Sequence, residues 1–288
     1  MQRLFVCLIS LATLGGLAAP AAGDAKAEQL LAQARAALGG DRTLSAVNGL
    51  TAAGTYQREM GDRQLSGEIT IDLQLPDKLL RTESMRPMGD ATIELLQGVN
   101  GDRVLRQSRT IGGGPNMFVR MAPPPGGADG EAQALRNQRA DLARFALAFL
   151  LTTTPEMPLE WKYGGEAEAD EGKADVIDAT GPGSFAARLF LDKKSHRPLM
   201  IAYRGAAPRM VVRTERGAAP PPSASAPAQM PPPQIVDIQL FLDGYKTVDG
   251  VMLPHHLSRS IDGKPTEEMT FTTIRLNPVF KPDTFTAK

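Results

Sequence analysis

The chain contains three histidines, the side chain used most often for acid–base chemistry and metal binding near neutral pH. They are His196, His255 and His256. The last two are adjacent in a segment predicted as a strand, where neighbouring side chains point to opposite faces, so one metal ion does not bind both easily. His255 is in phase with the apolar Leu253, which makes it either a polar group inside a cavity or a structural residue beside Pro254. A hydrolase hypothesis would depend on this pair alone.

No other motif for catalysis, metal binding or cofactor binding is complete. The sequence has no H-E-x-x-H, and its one cysteine is Cys7, so a zinc site is not predicted. The glycines and serine of 181–184 lack the G-x-S-x-G spacing of a nucleophile elbow, and 112–114 lack the Lys-Ser/Thr of a phosphate loop. Both stretches are predicted to be turns. We therefore predict a non-enzymatic protein with no catalytic, metal-binding or cofactor-binding residues.

The charge of the chain argues against a nucleic-acid partner. It has 32 basic and 32 acidic residues, which provide no long-range field to attract an anion. Arg103, Arg106 and Arg109 recur every three residues, but on a strand they would alternate between faces. We interpret them as a solvated strand edge.

The first residues are typical of a cleavable export signal. Arg3 precedes a short apolar run, which is followed by small residues ending in Gly23. The apolar run is shorter than the ~20 residues that a spanning helix needs. We expect 1–23 to be a signal peptide cleaved near Gly23, and 24–288 to be one periplasmic domain without an integral membrane segment. Cleavage would remove Cys7, so stability would depend on burial and not on disulfides.

Most of the remaining chain alternates between apolar and polar residues, as half-buried strands do. The clearest example is Leu65–Leu75, where every second residue is apolar over most of the stretch. The dipeptides Asn100-Gly101, Asp249-Gly250 and Asp262-Gly263 are typical of tight hairpins. About a dozen antiparallel strands are predicted, and the others are expected near 46–58, 78–86, 91–97, 103–111, 116–121, 159–166, 173–180, 184–192, 198–204, 208–215, 234–245, 251–261 and 266–276.

Two segments have helical periodicity, 24–38 and 131–151, the second with a stripe that includes Phe145 and Phe149. The Pro/Ala-rich stretch 217–233 cannot bury a core and is predicted to be a disordered insertion. The fold class is therefore mainly β (α+β): a curved antiparallel sheet or incomplete β-barrel wrapped around two helices.

Such a sheet can enclose more volume than two helices fill, and half-barrels of this kind hold apolar ligands. The residues predicted to line this cavity are Ile69, Ile71, Leu73, Leu75, Phe118, Phe145, Phe149, Leu189, Leu191, Leu240, Leu242 and His255. Each of them is also compatible with an ordinary place in a packed core.

Short motifs in the chain resemble proteins related to outer-membrane lipoprotein-sorting carriers, the LolA/LolB-like superfamily. The stretch Asp243–Pro254 resembles its D-Y-x-x-V-D-G-V-x-L-P segment, and Phe271, Asn277, Pro278 and Phe285 follow its F-x(5)-N-P…F arrangement. The Pro turn at 75–81 and the Asn100-Gly101 hairpin occur at corresponding places. Two positions differ: the carrier's lid-binding Arg is Leu75 here, and its Trp after the hairpin is Leu105.

The resemblance implies an incomplete antiparallel barrel whose open side is covered by helices, with a hydrophobic cavity in the periplasm. The leading hypothesis is a carrier that holds a lipid, a lipoprotein acyl chain or another apolar ligand. The alternative is a cell-envelope sensor or interaction module that binds a protein partner through a strand edge or through 217–233.

Overall fold

The computed structural model describes residues 22–60, 63–86, 91–112, 127–169, 172–207 and 234–286. Twelve of its strands form one antiparallel sheet: β1 (Gly49–Met60), β2 (Arg63–Gln74), β3 (Lys78–Met85), β4 (Thr92–Asn100), β5 (Arg103–Ile111), β6 (Glu160–Ala169), β7 (Gly172–Gly181), β8 (Phe185–Asp192), β9 (Pro198–Ala206), β10 (Ile235–Asp243), β13 (His256–Ile261) and β14 (Lys264–Leu276). The strands β11 (Lys246–Val248) and β12 (Val251–Leu253) form a separate hairpin.

The strand order is β5-β4-β3-β2-β1-β14-β13-β10-β9-β8-β7-β6. The first and last strands of the chain therefore pair with each other at the centre of the sheet. In this pair Leu50 lies opposite Leu276 and Arg58 lies opposite Glu267. Because β1 and β14 join the two halves of the sheet, contacts between them affect the whole fold.

Glycine allows the sheet to curl sharply near its centre. A bulge interrupts the β1–β14 register between Ala53 and Gly54, and a Cβ at Gly54 would lie 1.9 Å from the Thr270 carbonyl oxygen. At Gly67 on β2, a Cβ would lie 2.1 Å from the Ser84 oxygen. Bulges and glycines are what bend a sheet towards a barrel, so these positions favour an open half-barrel.

Three helices accompany the sheet: α1 (Ala22–Ala37), α2 (Asp41–Ser45) and α3 (Gly127–Leu150). Helix α3 contacts the sheet through its second half, where Phe149 packs against Phe271 with 5.9 Å between ring centroids. Its C-terminal end is bound by Arg35 of α1, which donates to the Leu151 carbonyl oxygen at 2.6 Å. The largest apolar core lies between these helices and the inner, concave face of the sheet.

The predicted fold class is confirmed: the protein is mainly β, with one open twelve-stranded antiparallel sheet. The strand predicted at 251–261 is wrong in one respect, because it is broken at Pro254 and His255 between β12 and β13. The short helix α2 was not predicted. The strands predicted at 116–121 and 208–215, the insertion at 217–233 and most of the signal peptide at 1–23 lie outside the described residues, so those predictions stay open.

Candidate functional site on the concave face

The residues predicted to line a ligand cavity are deeply buried on the concave side of the sheet. At most 5% of the surface is exposed in each of Ile69, Ile71, Leu73, Phe145, Phe149, Leu189, Leu191, Leu240 and Leu242. Leu75 is half-buried against the same core, and Phe118 lies outside the described residues. The structure brings these side chains together as packing partners, and a cavity among them stays a prediction.

His255 is buried at the break between β12 and β13. Its ring Nδ1 lies 3.1 Å from the Leu253 carbonyl oxygen, and its backbone N–H donates to the Asp243 oxygen at 3.1 Å. Its own carbonyl oxygen accepts from the Phe271 N–H at 2.7 Å. These bonds tie the β11–β12 hairpin to the sheet, so the described contacts of His255 are structural.

The motif residue Asn277 also has a structural role. Its Oδ1 accepts from the Asn48 N–H at 2.7 Å, and its Nδ2 donates to the Ala46 carbonyl oxygen at 3.0 Å. Its backbone has a φ of +48°, a left-handed conformation that asparagine tolerates better than most residues. Asn277 therefore joins the end of β14 to the connection before β1.

A cluster of charged side chains lies on the same concave face, next to the apolar core. We call it the arginine–glutamate cluster; it consists of Arg58, Arg81, Glu83, Arg259 and Glu267. Glu267 is the centre, with 2% of its side chain exposed. Its Oε1 accepts from Arg58 Nε at 2.9 Å and from Arg81 Nη2 at 2.6 Å, and its Oε2 lies 3.0 Å from Arg259 Nη1.

Glu83 is the second carboxylate of the cluster. Its Oε1 accepts from Arg58 Nη2 and from Arg81 Nε, both at 2.6 Å. One carboxylate oxygen thus receives two guanidinium groups, as Oε1 of Glu267 also does. Such charge-assisted bonds are stronger than neutral ones and fix the geometry of all the groups involved.

The electrostatics keep both glutamates ionised although they are buried. Burial alone would raise the pKa of Glu267, but Arg81, Arg259 and Arg58 outweigh it and hold the pKa well below its usual range. Glu83 has a pKa lowered in the same way, with burial opposed by Arg81 and Arg58. Both carboxylates are therefore ionised at neutral pH.

Tyr56 completes the surroundings of the cluster. Only 1% of its surface is exposed, and the Arg58 guanidinium lies 5.1 Å from its ring centroid. Its phenol oxygen has no hydrogen-bond partner among the described residues. Burial, followed by the charge of Glu83, raises the pKa of Tyr56 to about 12, so the hydroxyl keeps its proton.

An open hollow of about 1070 Å³ lies over the other half of the sheet, along β6 to β10. Its lining includes Leu159, Trp161, Tyr203 and Ile238, together with residues from the outer face of the same strands. Arg144 of α3 extends over it, with its guanidinium 3.7 Å from the Tyr203 ring centroid. The hollow combines aromatic and aliphatic groups with basic and acidic side chains, so it offers both apolar and polar contacts to a ligand.

The described part of the chain contains no group of three or more His, Cys, Asp or Glu side chains arranged to hold a metal ion. No helix in it combines the length and the apolar character needed to cross a membrane.

The arginine–glutamate cluster was missed in the sequence because its members lie on four strands. Arg58 and Glu267, for example, are 209 positions apart. A signal was nevertheless present in the alternation. Glu267 is in phase with the buried Met269 and Phe271, so the pattern placed a charge on the inner face.

Comparisons with known proteins give distant matches in structure only. No family model matches the chain, and no curated protein matches it. A LolA superfamily protein of Nitrosomonas europaea has 9% identity and a TM-score of 0.47, covering 90% of this chain and 97% of its own. A domain of Vibrio parahaemolyticus described as outer membrane lipoprotein-sorting has 10% identity and a TM-score of 0.47, covering 91% and 97%. A DUF1329 family protein of Desulfovibrio piger has 9% identity and a TM-score of 0.46, covering 90% and 97%.

These neighbours include the superfamily that the sequence motifs resemble. At 9–10% identity the similarity is distant, and it concerns the fold. The LolA-like proteins that the motifs resemble are thus among the solved structures that the chain matches.

Proposed function

We propose that the protein is an exported binding or carrier protein that holds a lipid, a lipoprotein acyl chain or another apolar ligand on the concave face of its half-barrel. The observation that supports this proposal is the apolar inner face of an open sheet, with α3 laid across it and a hollow of about 1070 Å³ beside it. Sheets that curl without closing leave such a face accessible from one side.

The position of α3 defines how a ligand would bind. Phe145 and Phe149 of α3 are buried on the concave side, and Phe149 contacts Phe271. An acyl chain offers the same kind of apolar surface as these rings, so it can replace the α3 contacts without leaving the face exposed to water. The ligand would then lie between α3 and the sheet, or extend into the hollow along β6 to β10.

The first experiment is purification from the periplasm without detergent, followed by native mass spectrometry and uptake of a pyrene-labelled fatty acid. We expect a bound lipid in the native spectrum, or uptake by the ligand-free protein. A Phe149→Ala variant should alter uptake, because this side chain packs on the concave face. The matched control is Phe241→Ala, since Phe241 lies on the outer face and is 38% exposed. A ligand-free protein that also fails to take up the probe would contradict the proposal.

A second candidate function is a cell-envelope interaction module. It is favoured by the open sheet, which in the described part of the chain ends in the strands β5 and β6; the edge of an open sheet is where a partner strand can add. On β5 the exposed Arg103 and Arg109 are consistent with the expected solvated edge. Deleting 217–233 separates the two functions: lipid binding should survive the deletion, whereas capture of an envelope protein through that segment should fail.

A further inference from the structure

We propose that the arginine–glutamate cluster binds an oxyanion, the carboxylate or phosphate head group of the lipid whose acyl chain lies on the concave face. This inference rests on the proposed function and narrows it from apolar ligands in general to lipids with an anionic head group.

The positive and negative charges of the cluster are unequal in number. The cluster contains three arginines and two glutamates, and 18% or less of each of the five side chains is exposed. A buried charge is costly unless a counter-ion or water compensates it. The cluster has one arginine more than it has glutamates, so an anion bound there would complete the pairing of its charges.

The cluster and its surroundings contain hydrogen-bond donors without an acceptor among the described residues. Each guanidinium has five N–H groups, and Arg259 uses its Nη1 for one ion pair to Glu267 at 3.0 Å. Its Nε is buried without a hydrogen-bond partner in the described part of the chain, as are the Tyr56 hydroxyl and one acceptor, Oε2 of Glu267. Buried donors without an acceptor are uncommon in folded proteins. An oxyanion would supply the missing acceptors as well as the missing charge.

The cluster lies on the same strand face as the apolar residues that contact α3. On β14, Glu267, Met269 and Phe271 point to the same side, and Phe271 contacts α3 through Phe149. At ~3.3 Å per residue, Glu267 and Phe271 are about 13 Å apart along the strand. This distance is within the length of an extended acyl chain. A head group at the cluster would thus place its tail against Phe271 and α3.

Arg144 of α3 lies beside this path, and its Nη1 donates to Asp141 Oδ1 at 2.9 Å, so its charge is paired. Its side chain is 13% exposed, its Nε has no partner among the described residues, and its guanidinium lies over the Tyr203 ring. The Asp141–Arg144 pair therefore borders the hollow along β6 to β10, where Arg144 offers a donor to a polar group without adding net charge.

The test compares oleate, oleyl alcohol and inorganic phosphate as probes, each titrated into the delipidated protein. Oleate and oleyl alcohol share one chain, and they differ in the charged head group. We expect oleate to bind at least tenfold more tightly than the alcohol, because one charge-assisted hydrogen bond gives about that factor. If inorganic phosphate binds to the cluster while oleate and oleyl alcohol bind equally, the cluster binds a free anion. That result would overturn the proposal that it binds the head group of a lipid.

Two variants assign the effect to the cluster. Tyr56→Phe removes the unpartnered hydroxyl and keeps the ring, so the preference for oleate should fall several-fold while the urea midpoint stays the same or rises. Arg259→Gln should reduce the preference about tenfold or more. The matched control is Arg275→Gln, because Arg275 is exposed on the outer face of β14, outside both the cluster and the lining of the hollow. It should leave the preference unchanged.

The failures of the two proposals are distinguishable. If oleate and oleyl alcohol bind equally in wild type and in both variants, anion recognition is wrong and lipid binding stands. If neither binds, the proposed lipid function is overturned. If neither lipid probe binds, but inorganic phosphate binds to the wild type and not to Arg259→Gln, the cluster is an anion site that does not bind a lipid.

Discussion

Arg58 and Glu267 lie opposite each other on β1 and β14, and Arg58 Nε donates to Glu267 Oε1 at 2.9 Å. This pair joins the first and last strands of the chain at the centre of the sheet. Glu267 also binds Arg81 of β3 and Arg259 of β13, so one carboxylate connects four strands. The same residue serves the fold and, in our proposal, the recognition of an anionic ligand.

Replacing Glu267 by Gln should destabilise the protein strongly. Three buried arginines would lose their shared counter-ion, and breaking a buried ion pair in this way costs about 3–5 kcal/mol. Urea unfolding followed by circular dichroism at neutral pH measures this change. The control is Glu268→Gln, the next residue on β14, which is exposed on the outer face. A loss equal to that of the control would mean that the cluster does not stabilise the fold.

The stability should also decrease in acid. The pKa values of Glu267 and Glu83 are lowered in the folded state from an ordinary value of 4.5, so below that pH the unfolded chain binds protons that the folded chain does not. Their contribution is present above about pH 4.5 and is lost as the pH falls. Each carboxylate should add about 1.4 kcal/mol per pH unit to the decrease in the free energy of unfolding. We expect the free energy of unfolding, measured at equilibrium between about pH 5 and about pH 3, to decrease less steeply with falling pH in Glu267→Gln than in the wild type.

Tyrosine ionisation offers a spectroscopic test of burial. Desolvation raises the pKa of Tyr56, Tyr163, Tyr203 and Tyr245, which are all four tyrosines of the chain. The folded protein should therefore show little tyrosinate absorbance at a pH near 10, where unfolded tyrosines are about half ionised. The neutral phenols stabilise the fold below pH 10, and this contribution is lost as the pH rises through the folded pKa. Equal titration curves in buffer and in urea would contradict this prediction.

Asn277 should contribute to stability through its two side-chain hydrogen bonds. Asn277→Ala removes both the bond from the Asn48 N–H and the bond to the Ala46 oxygen, and should cost about 1–3 kcal/mol. Asn277→Asp keeps the acceptor Oδ1 and tolerates the left-handed backbone, so it should lose less. Thermal unfolding of the two variants should rank them in that order. Equal losses would show that backbone conformation, and not the side chain, is what matters.

The local elements of this fold could be predicted from the sequence, because period-two alternation and hairpin dipeptides are local signals. Asp249 and Gly250 adopt φ values of +48° and +83°, as the turn at this predicted hairpin requires. Helix α2 has only five residues, which is too short for a periodic pattern. The break at Pro254 was missed because the apolar alternation continues across it.

The candidate site could be predicted only in part. The burial of Ile71 and Phe149 follows from their place in a local pattern. The meeting of Arg81 with Glu267 depends on the pairing of β1 with β14 and on the curl of the sheet, which no short stretch of sequence encodes. Long-range register is set by the folded sheet as a whole, so such contacts appear only in the structure.

Locking α3 to the sheet should block ligand uptake if the ligand lies beneath this helix. Arg139 of α3 and Asp102 of the β4–β5 turn form an ion pair, so cysteines at these two positions can be joined by a short, cleavable bismaleimide reagent. The only native cysteine, Cys7, lies in the predicted signal peptide and would not interfere in the mature protein.

We expect the cross-linked Asp102→Cys/Arg139→Cys variant to lose uptake of a pyrene-labelled fatty acid, and to regain it when the linker is cleaved. The matched control places cysteines at Glu168 and Lys173, an ion pair of 3.4 Å in the β6–β7 hairpin, away from α3. Cross-linking there should leave uptake unchanged. If the locked α3 variant still takes up the probe at the wild-type rate, the ligand does not pass beneath α3, and the open hollow along β6 to β10 becomes the place where it binds.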